Sequence, residues 1–261
     1  MKKKTAIIIS FTPITDEPRV LRQVSALQSD GWDIVLCGFA GRKEKPKNTC
    51  LITFVNSPDP TPPREGNDNV ADIVNENTVT DNKGEEIPRP KTFERKVKDI
   101  IKKYVPMSII KWAHRTLHIY PALKAHFFDK AAIQYYWKSY YYEARYNYIM
   151  SELKHIQGLK NSKILVVAHD YFTMPIAERM GNHYKTRFVT DIHEYATGQY
   201  MDQLIWRIML RPWVDRMQRI FLPKSSFNST VCDGIADLLA KDYEPLARPA
   251  VIKSTPLYVD L

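Results

Sequence analysis

Two short apolar runs, each followed by titratable residues, constrain the fold of this chain more than any other part of its sequence. Residues 164–168 are an uninterrupted apolar run, and residues 188–192 are a second run with two polar positions. Runs this short are typical of strands, and strands buried on both faces belong to parallel sheets. Between them, residues 174–180 predict a short helix that Pro175 opens and Gly181 closes. The order strand, helix, strand predicts a βαβ unit.

The polar residues that follow these two strands are the first candidates for a functional site. His169 and Asp170 follow the first strand, and His193 and Glu194 follow the second. In open α/β sheets, ligands bind just beyond the carboxyl ends of the strands. We therefore expect these four side chains to lie at a site. Asp191, inside the second run, is predicted to have a structural role.

The remaining pattern predicts an α/β fold with a Rossmann-like, mostly parallel sheet flanked by helices and with an inserted helical segment. The first strand is predicted at 5–10, and the helix after it has Thr15 or Asp16 as its cap and Pro18 in its first turn. The loop between them contains no glycine, so the Gly-x-Gly-x-x-Gly dinucleotide fingerprint is absent. Further strands are predicted at 33–38, 51–55, 227–231 and 250–253, and further helices at 202–219, interrupted at Pro212, and at 233–241.

The middle of the chain interrupts this pattern with two segments. Residues 56–90 are rich in Pro, Asn, Asp, Glu and Thr and have few large apolar side chains, so we predict a flexible insertion. Residues 91–160 predict about three helices, separated at Pro106 and Pro121. This segment holds 14 Lys and Arg residues against 5 Asp and Glu, and this surplus of nine equals the net charge of +9 of the whole chain. It also holds 14 of the 30 aromatic residues.

The basic aromatic segment, residues 91–160, has two interpretations. Basic and aromatic residues interleaved on amphipathic helices fit an anionic membrane surface. Alternatively, the aromatic residues pack inward and the lysines are ordinary solvated residues. Nucleic-acid binding would need the charge to be organised around a recognisable module, and the sequence contains none, so no nucleic-acid partner is expected.

The length of the chain and its cysteines narrow the class of protein. The 261 residues suffice for one large α/β domain or two small ones. The opening Met-Lys-Lys-Lys precedes too short an apolar run for a signal peptide, and no run approaches the length of a membrane span. We expect a cytoplasmic protein, peripheral on the inner face of the cytoplasmic membrane if the basic aromatic segment binds lipid. The chain has three cysteines, Cys37, Cys50 and Cys232. Their spacing fits neither a metal site nor a framework of disulfides, so no metal site is predicted.

Five segments carry motifs whose order and spacing resemble one known family. They are Asp16-Glu-Pro-Arg-Val-Leu-Arg22 with Ala26-Leu27 and Gly31-Trp-Asp-Ile-Val35, His169-Asp170 with Met174-Pro175, Thr190-Asp-Ile-His-Glu194, Val231-Cys-Asp-Gly-Ile-Ala236, and Val251-Ile-Lys-Ser-Thr-Pro256. Together they resemble the amino-terminal, acceptor-binding lobe of the group 1, or family 4, retaining glycosyltransferases, which have the two-lobed GT-B fold. Ser254 stands where the family usually has asparagine.

This resemblance implies that residues 1–261 form a single Rossmann-like lobe of a metal-independent transferase. A family member continues into a second lobe that binds the nucleotide-sugar donor through a pair of glutamates. The present lobe is therefore expected to bind no cofactor itself, and its partners are a nucleotide sugar, an acceptor, and a donor lobe in the same or a separate chain. The linker-like ending at Val259-Asp-Leu261 favours a truncated chain that is inactive alone.

The resemblance also implies roles for individual residues. His193 aligns with the active-site histidine of the family, which faces the donor sugar, and is the candidate catalytic residue. Thr12, Thr15 and Asp16 lie where the family's glycine-rich loop meets the donor phosphate and the acceptor. The full set of residues that we expect to bind the acceptor is His169, Asp170, Glu194, Thr15, Asp16 and Arg19.

Three functions remain open from the sequence. The first is the acceptor-binding half of a retaining glycosyltransferase that acts on a cell-envelope glycan or a lipid-linked acceptor. The second is a non-catalytic membrane-docking subunit that recruits a separate donor-binding chain. The third is half of a sugar-nucleotide epimerase, which shares the architecture and would use several carboxylates and a histidine on a bound nucleotide sugar.

Overall fold

The computed structural model describes residues 3–54, 78–80, 86–88, 123–139 and 142–253. The chain divides into two compact units: Met1–Pro58 with Ala122–Leu261 form one, and Asp59–Pro121 form the other. Apart from two short strands, the predicted insertion at 56–90 lies outside the described residues, and so do the predicted helices of 91–122. Those two predictions stay predictions.

Nine described strands form two sheets. In chain order they are β1 (Lys4–Pro13), β2 (Trp32–Phe39), β3 (Thr49–Phe54), β4 (Thr78–Thr80), β5 (Glu86–Pro88), β6 (Lys163–His169), β7 (Phe188–Ile192), β8 (Asn228–Thr230) and β9 (Ala250–Val251). Strands β4 and β5 pair antiparallel within the second unit. The other seven form a parallel sheet in the first unit, in the order β3-β2-β1-β6-β7-β8-β9. The predicted α/β class, with its mostly parallel sheet, is confirmed.

Helices connect these strands. The α-helices are α1 (Pro18–Ser29), α2 (Asp129–Ser139), α3 (Tyr142–Leu153), α4 (Met174–His183), α5 (Arg211–Phe221) and α6 (Asp233–Asp242), with 3-10 turns at Leu159–Asn161, Ala196–Gly198 and Leu222–Lys224. A π-helical turn, Trp206–Leu210, directly precedes α5. Pro212 lies in the first turn of α5, where its missing N–H has no cost, so the predicted interruption at this proline agrees with the structure.

The side chains of β1 alternate between two cores, one on each face of the sheet. Ile7 and Ile9 belong to the larger core, and Ala6 and Ile8 belong to the smaller core beneath α1. The larger core also contains buried tyrosines of α2 and α3, so part of the basic aromatic segment packs inward: Tyr136, Tyr142 and Tyr146. Helices therefore cover both faces, as a buried parallel sheet requires. Among the described residues, none of the helices combines the length and the apolar composition needed to span a bilayer.

The start of α1 differs from the sequence prediction. No side chain among the described residues caps this helix, which begins at Pro18, so the prediction of Thr15 or Asp16 as its cap is wrong. The carboxylate of Asp16 instead accepts hydrogen bonds from the backbone N–H groups of Arg42 and Lys43 at 2.9–3.0 Å. The loop after β2 thus competes successfully with the helix for this carboxylate.

The end of α4 also differs. The sequence predicts that Gly181 closes the helix, but α4 continues to His183. A Cβ atom at Gly181 would lie 2.8 Å from the carbonyl oxygen of Thr186. The glycine therefore allows the helix to approach the following turn closely, and it does not end the helix.

Candidate functional site

The order of the strands identifies the point of the sheet at which a ligand site is expected. From β1 the chain proceeds outward through β2 and β3, and from β6 it proceeds through β7, β8 and β9 in the opposite direction. Strands β1 and β6 are neighbours, with Lys4 opposite Lys163. Ligands of open α/β sheets bind outside the carboxyl ends of the strands at such a reversal of strand order. The residues that follow β1, β6 and β7 are the ones that this rule selects.

Three buried side chains at the ends of β6 and β7 form what we call the strand-end cluster: His169, Asp191 and His193. Nε2 of His193 lies 3.0 Å from Oδ2 of Asp191 and 3.1 Å from Nδ1 of His169. Gln23 of α1 joins Asp191 to His169. Its amide nitrogen donates to Oδ2 of Asp191 at 2.8 Å, and its amide oxygen lies 2.9 Å from Nε2 of His169. The hydroxyl of Ser229 donates to Oδ1 of Asp191 at 2.8 Å.

The partners of the two imidazoles assign their protons. The amide oxygen of Gln23 can only accept, so Nε2 of His169 carries a proton and its Nδ1 keeps a lone pair. The ionised carboxylate of Asp191 also only accepts, so Nε2 of His193 is the donor to it. One N–H therefore points into the space among the three side chains of the strand-end cluster.

Asp170 lies beside the strand-end cluster and fixes the backbone of the next strand end. Its Oδ1 accepts the backbone N–H of His193 at 2.8 Å, and its Oδ2 lies 3.5 Å from Nδ1 of His193. Its own N–H donates to the carbonyl oxygen of Asp191 at 2.9 Å. Asp170 has a φ of +59°, a left-handed conformation that aspartate tolerates better than most residues. Because its side chain is 31% exposed, Asp170 can also accept a hydrogen bond from a ligand.

Burial and the neighbouring charges shift the pKa values of these groups in different directions. Burial lowers the pKa of His169 to about 3, although Asp191 opposes this shift. Burial also disfavours the charged form of His193, but the hydrogen bond to Asp191 and the charges of Asp170 and Asp191 outweigh it and raise the pKa of His193. For Asp191, burial is outweighed by the hydrogen bond with His193 and the nearby imidazoles, and its pKa falls to about 2. Burial raises the pKa of Asp170. The cluster therefore combines a neutral imidazole, a carboxylate and an imidazole that favours its charged form.

The loop after β1 brings Thr15 and Asp16 to the neighbouring part of the same sheet edge. Asp16 is held by the backbone of the loop after β2, and its pKa is lowered, chiefly by the N–H groups of Arg42 and Lys43. The hydroxyl of Thr15 is buried and has no hydrogen-bond partner among the described residues. A Cβ atom at Gly41 would lie 2.1 Å from this hydroxyl, so the second loop packs directly on the first. Asp16 thus organises two loops at the sheet edge.

The other two predicted site residues are Arg19 and Glu194. The charge of Arg19 acts on the strand-end cluster, whereas Glu194 lies outside it. The charge of Arg19, on α1, lies near enough to His169 and His193 to oppose the protonation of both. Glu194 is exposed, and its carboxylate accepts a hydrogen bond from the amide of Gln199. The structure therefore brings His169, Asp170, His193 and the charge of Arg19 together, whereas Glu194 points to its own loop.

The sequence does not single out Gln23, and it predicts a structural role for Asp191. The side chain of Asp191 bonds to both Gln23 and His193, so it helps to hold the strand-end cluster together. Gln23 follows Arg19 by four residues, a spacing that puts both on one face of α1. That spacing was the available signal for Gln23, whereas the role of Asp191 depends on strand pairing that the sequence does not display.

Comparisons with known proteins give distant structural likenesses. No protein-family model and no curated protein sequence matches this chain. Among solved structures, Arabidopsis thaliana UGT89C1 complexed with UDP matches with 9% identity and a TM-score of 0.45, covering 100% of this chain and 50% of that chain. The same protein complexed with UDP-L-rhamnose matches with 10% identity and a TM-score of 0.44, covering 99% and 50%. TcCGT1 in complex with UDP matches with 7% identity and a TM-score of 0.43, covering 97% and 51%. This chain spans about half the length of the structures that it resembles.

Proposed function

We propose that this chain is the acceptor-binding lobe of a retaining, metal-independent glycosyltransferase. It would transfer a sugar from a nucleotide sugar to a cell-envelope glycan or a lipid-linked acceptor. The donor would bind to a second lobe, in the same or a separate chain, so the present lobe alone would transfer no sugar. The coding sequence that follows Leu261 distinguishes these two arrangements: an in-frame donor lobe supports the first, and a stop codon supports the second.

The observation that carries this proposal is the meeting of three motif segments that lie far apart in the sequence. Gln23 is not one of the motif's own residues, but it lies on α1 within the stretch that the first motif spans, and it bonds to His169 of the second motif and to Asp191 of the third. Asp170 of the second motif bonds to the backbone of His193 of the third. Sequence similarity alone does not require these contacts. Their occurrence at the reversal of strand order supports a common site.

The proposed chemistry assigns different tasks to the exposed and the buried groups. Asp170, partly exposed, would accept a hydrogen bond from an acceptor hydroxyl, and Glu194 would act farther out. His193, whose raised pKa favours the imidazolium, would place a positive charge facing the donor sugar. Preorganised donors aimed at developing charge are commonly the largest contribution to catalysis. His169, Thr15, Asp16 and Arg19 would shape the acceptor side of the cleft.

Sugar transfer by the full open reading frame, measured over a panel of nucleotide sugars and lipid acceptors, tests this function. We expect transfer to fall by a hundredfold or more in His193→Ala, which corresponds to about 3 kcal/mol of transition-state stabilisation. His155→Ala is the matched control, since His155 is an exposed histidine outside the site. Absence of transfer with every donor and acceptor would refute the proposal. Release of an epimerised nucleotide sugar would identify the epimerase alternative instead.

A second candidate function, the membrane-docking subunit, has its own structural support. Phe127 and Phe128 are 70% and 62% exposed, and Lys124 and Lys130 flank them in sequence. Nε2 of His126 lies 2.6 Å from the carbonyl oxygen of Met209, which places this segment against the π-helical turn. Large exposed aromatic side chains beside basic residues are typical of surfaces that bind anionic lipid.

Flotation with vesicles tests this second candidate. Vesicles that contain anionic lipid should carry the chain upward, and neutral vesicles should carry much less. The combined variant Phe127→Ser, Phe128→Ser, Lys130→Glu should lose most of this binding, whereas Lys241→Glu, an exposed charge change on α6, should retain it. Binding that is equal in all variants would remove membrane docking through this surface.

A further inference from the structure

We propose that the strand-end cluster of His169, Asp191 and His193 is a binding site for a divalent transition-metal ion of the zinc type. The inference begins from three atoms that face one another: Nδ1 of His169, Oδ2 of Asp191 and Nε2 of His193. Their separations are 3.1 Å between the two nitrogens, 3.0 Å from Nε2 of His193 to Asp191, and 3.9 Å from Nδ1 of His169 to Asp191. No spacing in the sequence predicts this ligand set, because strand pairing assembles it.

These separations match the bonds of a transition-metal ion. A point equidistant from three atoms that are 3.1, 3.0 and 3.9 Å apart lies about 2.0 Å from each, and zinc bonds to imidazole and carboxylate are about 2.0–2.2 Å long. A tetrahedral ion would hold its ligand atoms about 3.3 Å apart. The longest separation would therefore have to shorten by about 0.6 Å, and the two shorter ones would have to lengthen by about 0.2–0.3 Å. Magnesium, which prefers six oxygen ligands, is disfavoured by the two imidazoles.

The proton assignment also favours a cation. Nδ1 of His169 carries the lone pair of this ring, because Gln23 occupies its other nitrogen, and this lone pair faces Nε2 of His193 at 3.1 Å. Asp191 contributes a carboxylate oxygen, so only the N–H of His193 occupies the space among the three atoms. An ion that binds there releases this one proton to solvent and receives three electron pairs. The carboxylates of Asp191 and Asp170 offset the two charges of the ion, and the nearby charge of Arg19 leaves the surroundings with one net positive charge.

The surrounding side chains orient the ligands as the outer shell of a metal site does. Oδ2 of Asp170 lies 3.5 Å from Nδ1 of His193, where it favours a proton on that nitrogen and leaves Nε2 for the metal. Gln23 fixes the ring of His169 in the same way, and Ser229 binds the second oxygen of Asp191. Each ligand therefore has a partner on the side away from the ion.

This inference does not depend on the proposed sugar transfer, which needs no metal. A bound ion occupies Nε2 of His193, so it competes with any sugar or phosphate group that this nitrogen would otherwise bind. Occupation of the site would hold the ends of β6 and β7 together and would lower transfer. Metal content is measured without donor or acceptor, so failure of one proposal leaves the other intact.

The experiment uses the untagged chain, stripped with a chelator and dialysed against zinc sulfate. Elemental analysis should find one zinc ion per chain. A parallel sample that is dialysed against magnesium sulfate should retain no magnesium. Imidazole 15N chemical shifts of the wild-type chain should move at Nδ1 of His169 and Nε2 of His193 on addition of zinc, while those of His155 stay unchanged. Because this measurement needs no variant, it decides the question even where substitutions impair folding.

Zinc binding by substituted chains is the second part of the experiment. His169→Asn and Asp191→Asn should each weaken zinc binding at least tenfold, and His155→Ala should leave it unchanged. Less than about one zinc per five chains at saturating zinc would overturn the proposal. So would full occupancy with unshifted nitrogens at His169 and His193, because the ion would then lie elsewhere.

Discussion

Asp170 provides a test of whether the end of β6 is strained and what compensates the strain. This residue has a φ of +59°, and its carboxylate accepts the backbone N–H of His193 at 2.8 Å. Replacing it with Asn, Gly and Ala separates the two contributions. Asn keeps an acceptor and tolerates the left-handed conformation, Gly keeps only the conformation, and Ala keeps neither. We expect stability to fall in the order wild type, Asn, Gly, Ala.

The expected magnitudes follow from these contacts. Loss of a hydrogen bond to a charged group, with the amide of His193 left without its acceptor, costs about 2 kcal/mol, which is the expected effect of Asp170→Gly. Asp170→Ala adds about 1 kcal/mol, because an L-residue other than Asn or Asp is disfavoured in the left-handed region. Asp170→Asn should cost less than about 1 kcal/mol, since it exchanges a charged acceptor for a neutral one.

Urea unfolding followed by circular dichroism measures this series. With a slope of about 3 kcal/mol per molar urea, the Ala variant should lower the midpoint by about 1 M and the Gly variant by roughly 0.7 M. A Gly variant less stable than the Ala variant would refute the backbone argument. An Asn variant as unstable as Ala would refute the assignment of the hydrogen bond to the amide of His193.

Three further expectations concern the scaffold. Gly181→Ala should cost about 1–3 kcal/mol, because its Cβ would meet the carbonyl oxygen of Thr186 at 2.8 Å, whereas Gly234→Ala, with open space around it, should be nearly neutral in the same urea assay. Trp213→Ala should cost about 3–5 kcal/mol, since this indole is fully buried in the larger core; a loss under 1 kcal/mol in calorimetry would show that the core does not depend on it. Burial raises the pKa of the Cys37 thiol, so a thiol reagent should modify two cysteines in the native chain and three after unfolding, and modification of all three in the native chain would contradict the described packing.

The elements with strong local signals were predictable from the sequence. Strand β7 was predicted at 188–192 and is found at Phe188–Ile192, because a short apolar run between polar residues has few other ways to fold. The meeting of His169, Asp170 and His193 at the ends of β6 and β7 was also predictable, because the general rule for open sheets brings the residues at neighbouring strand ends together.

The errors occurred where a contact with a neighbouring segment decided the role of a residue. Asp16 fails to cap α1 because the amides of Arg42 and Lys43 take its carboxylate. Gly181 does not end α4 because its role is close contact with Thr186. The amides of Arg42 and Lys43 are far from Asp16 in sequence, so no local pattern reveals them, whereas Thr186 belongs to the turn that directly follows α4.

The pairing of β1 with β6 has a consequence for how the chain is made. Lys4 lies opposite Lys163, so the first strand has to wait for a neighbour that is about 160 residues away in sequence. During synthesis, one edge of the apolar run at 6–9 would stay unpaired until β6 leaves the ribosome. Unpaired edges of this kind are sites of aggregation. Nascent chains that stop before residue 163 should therefore require a chaperone, and chains that extend past residue 192 should not.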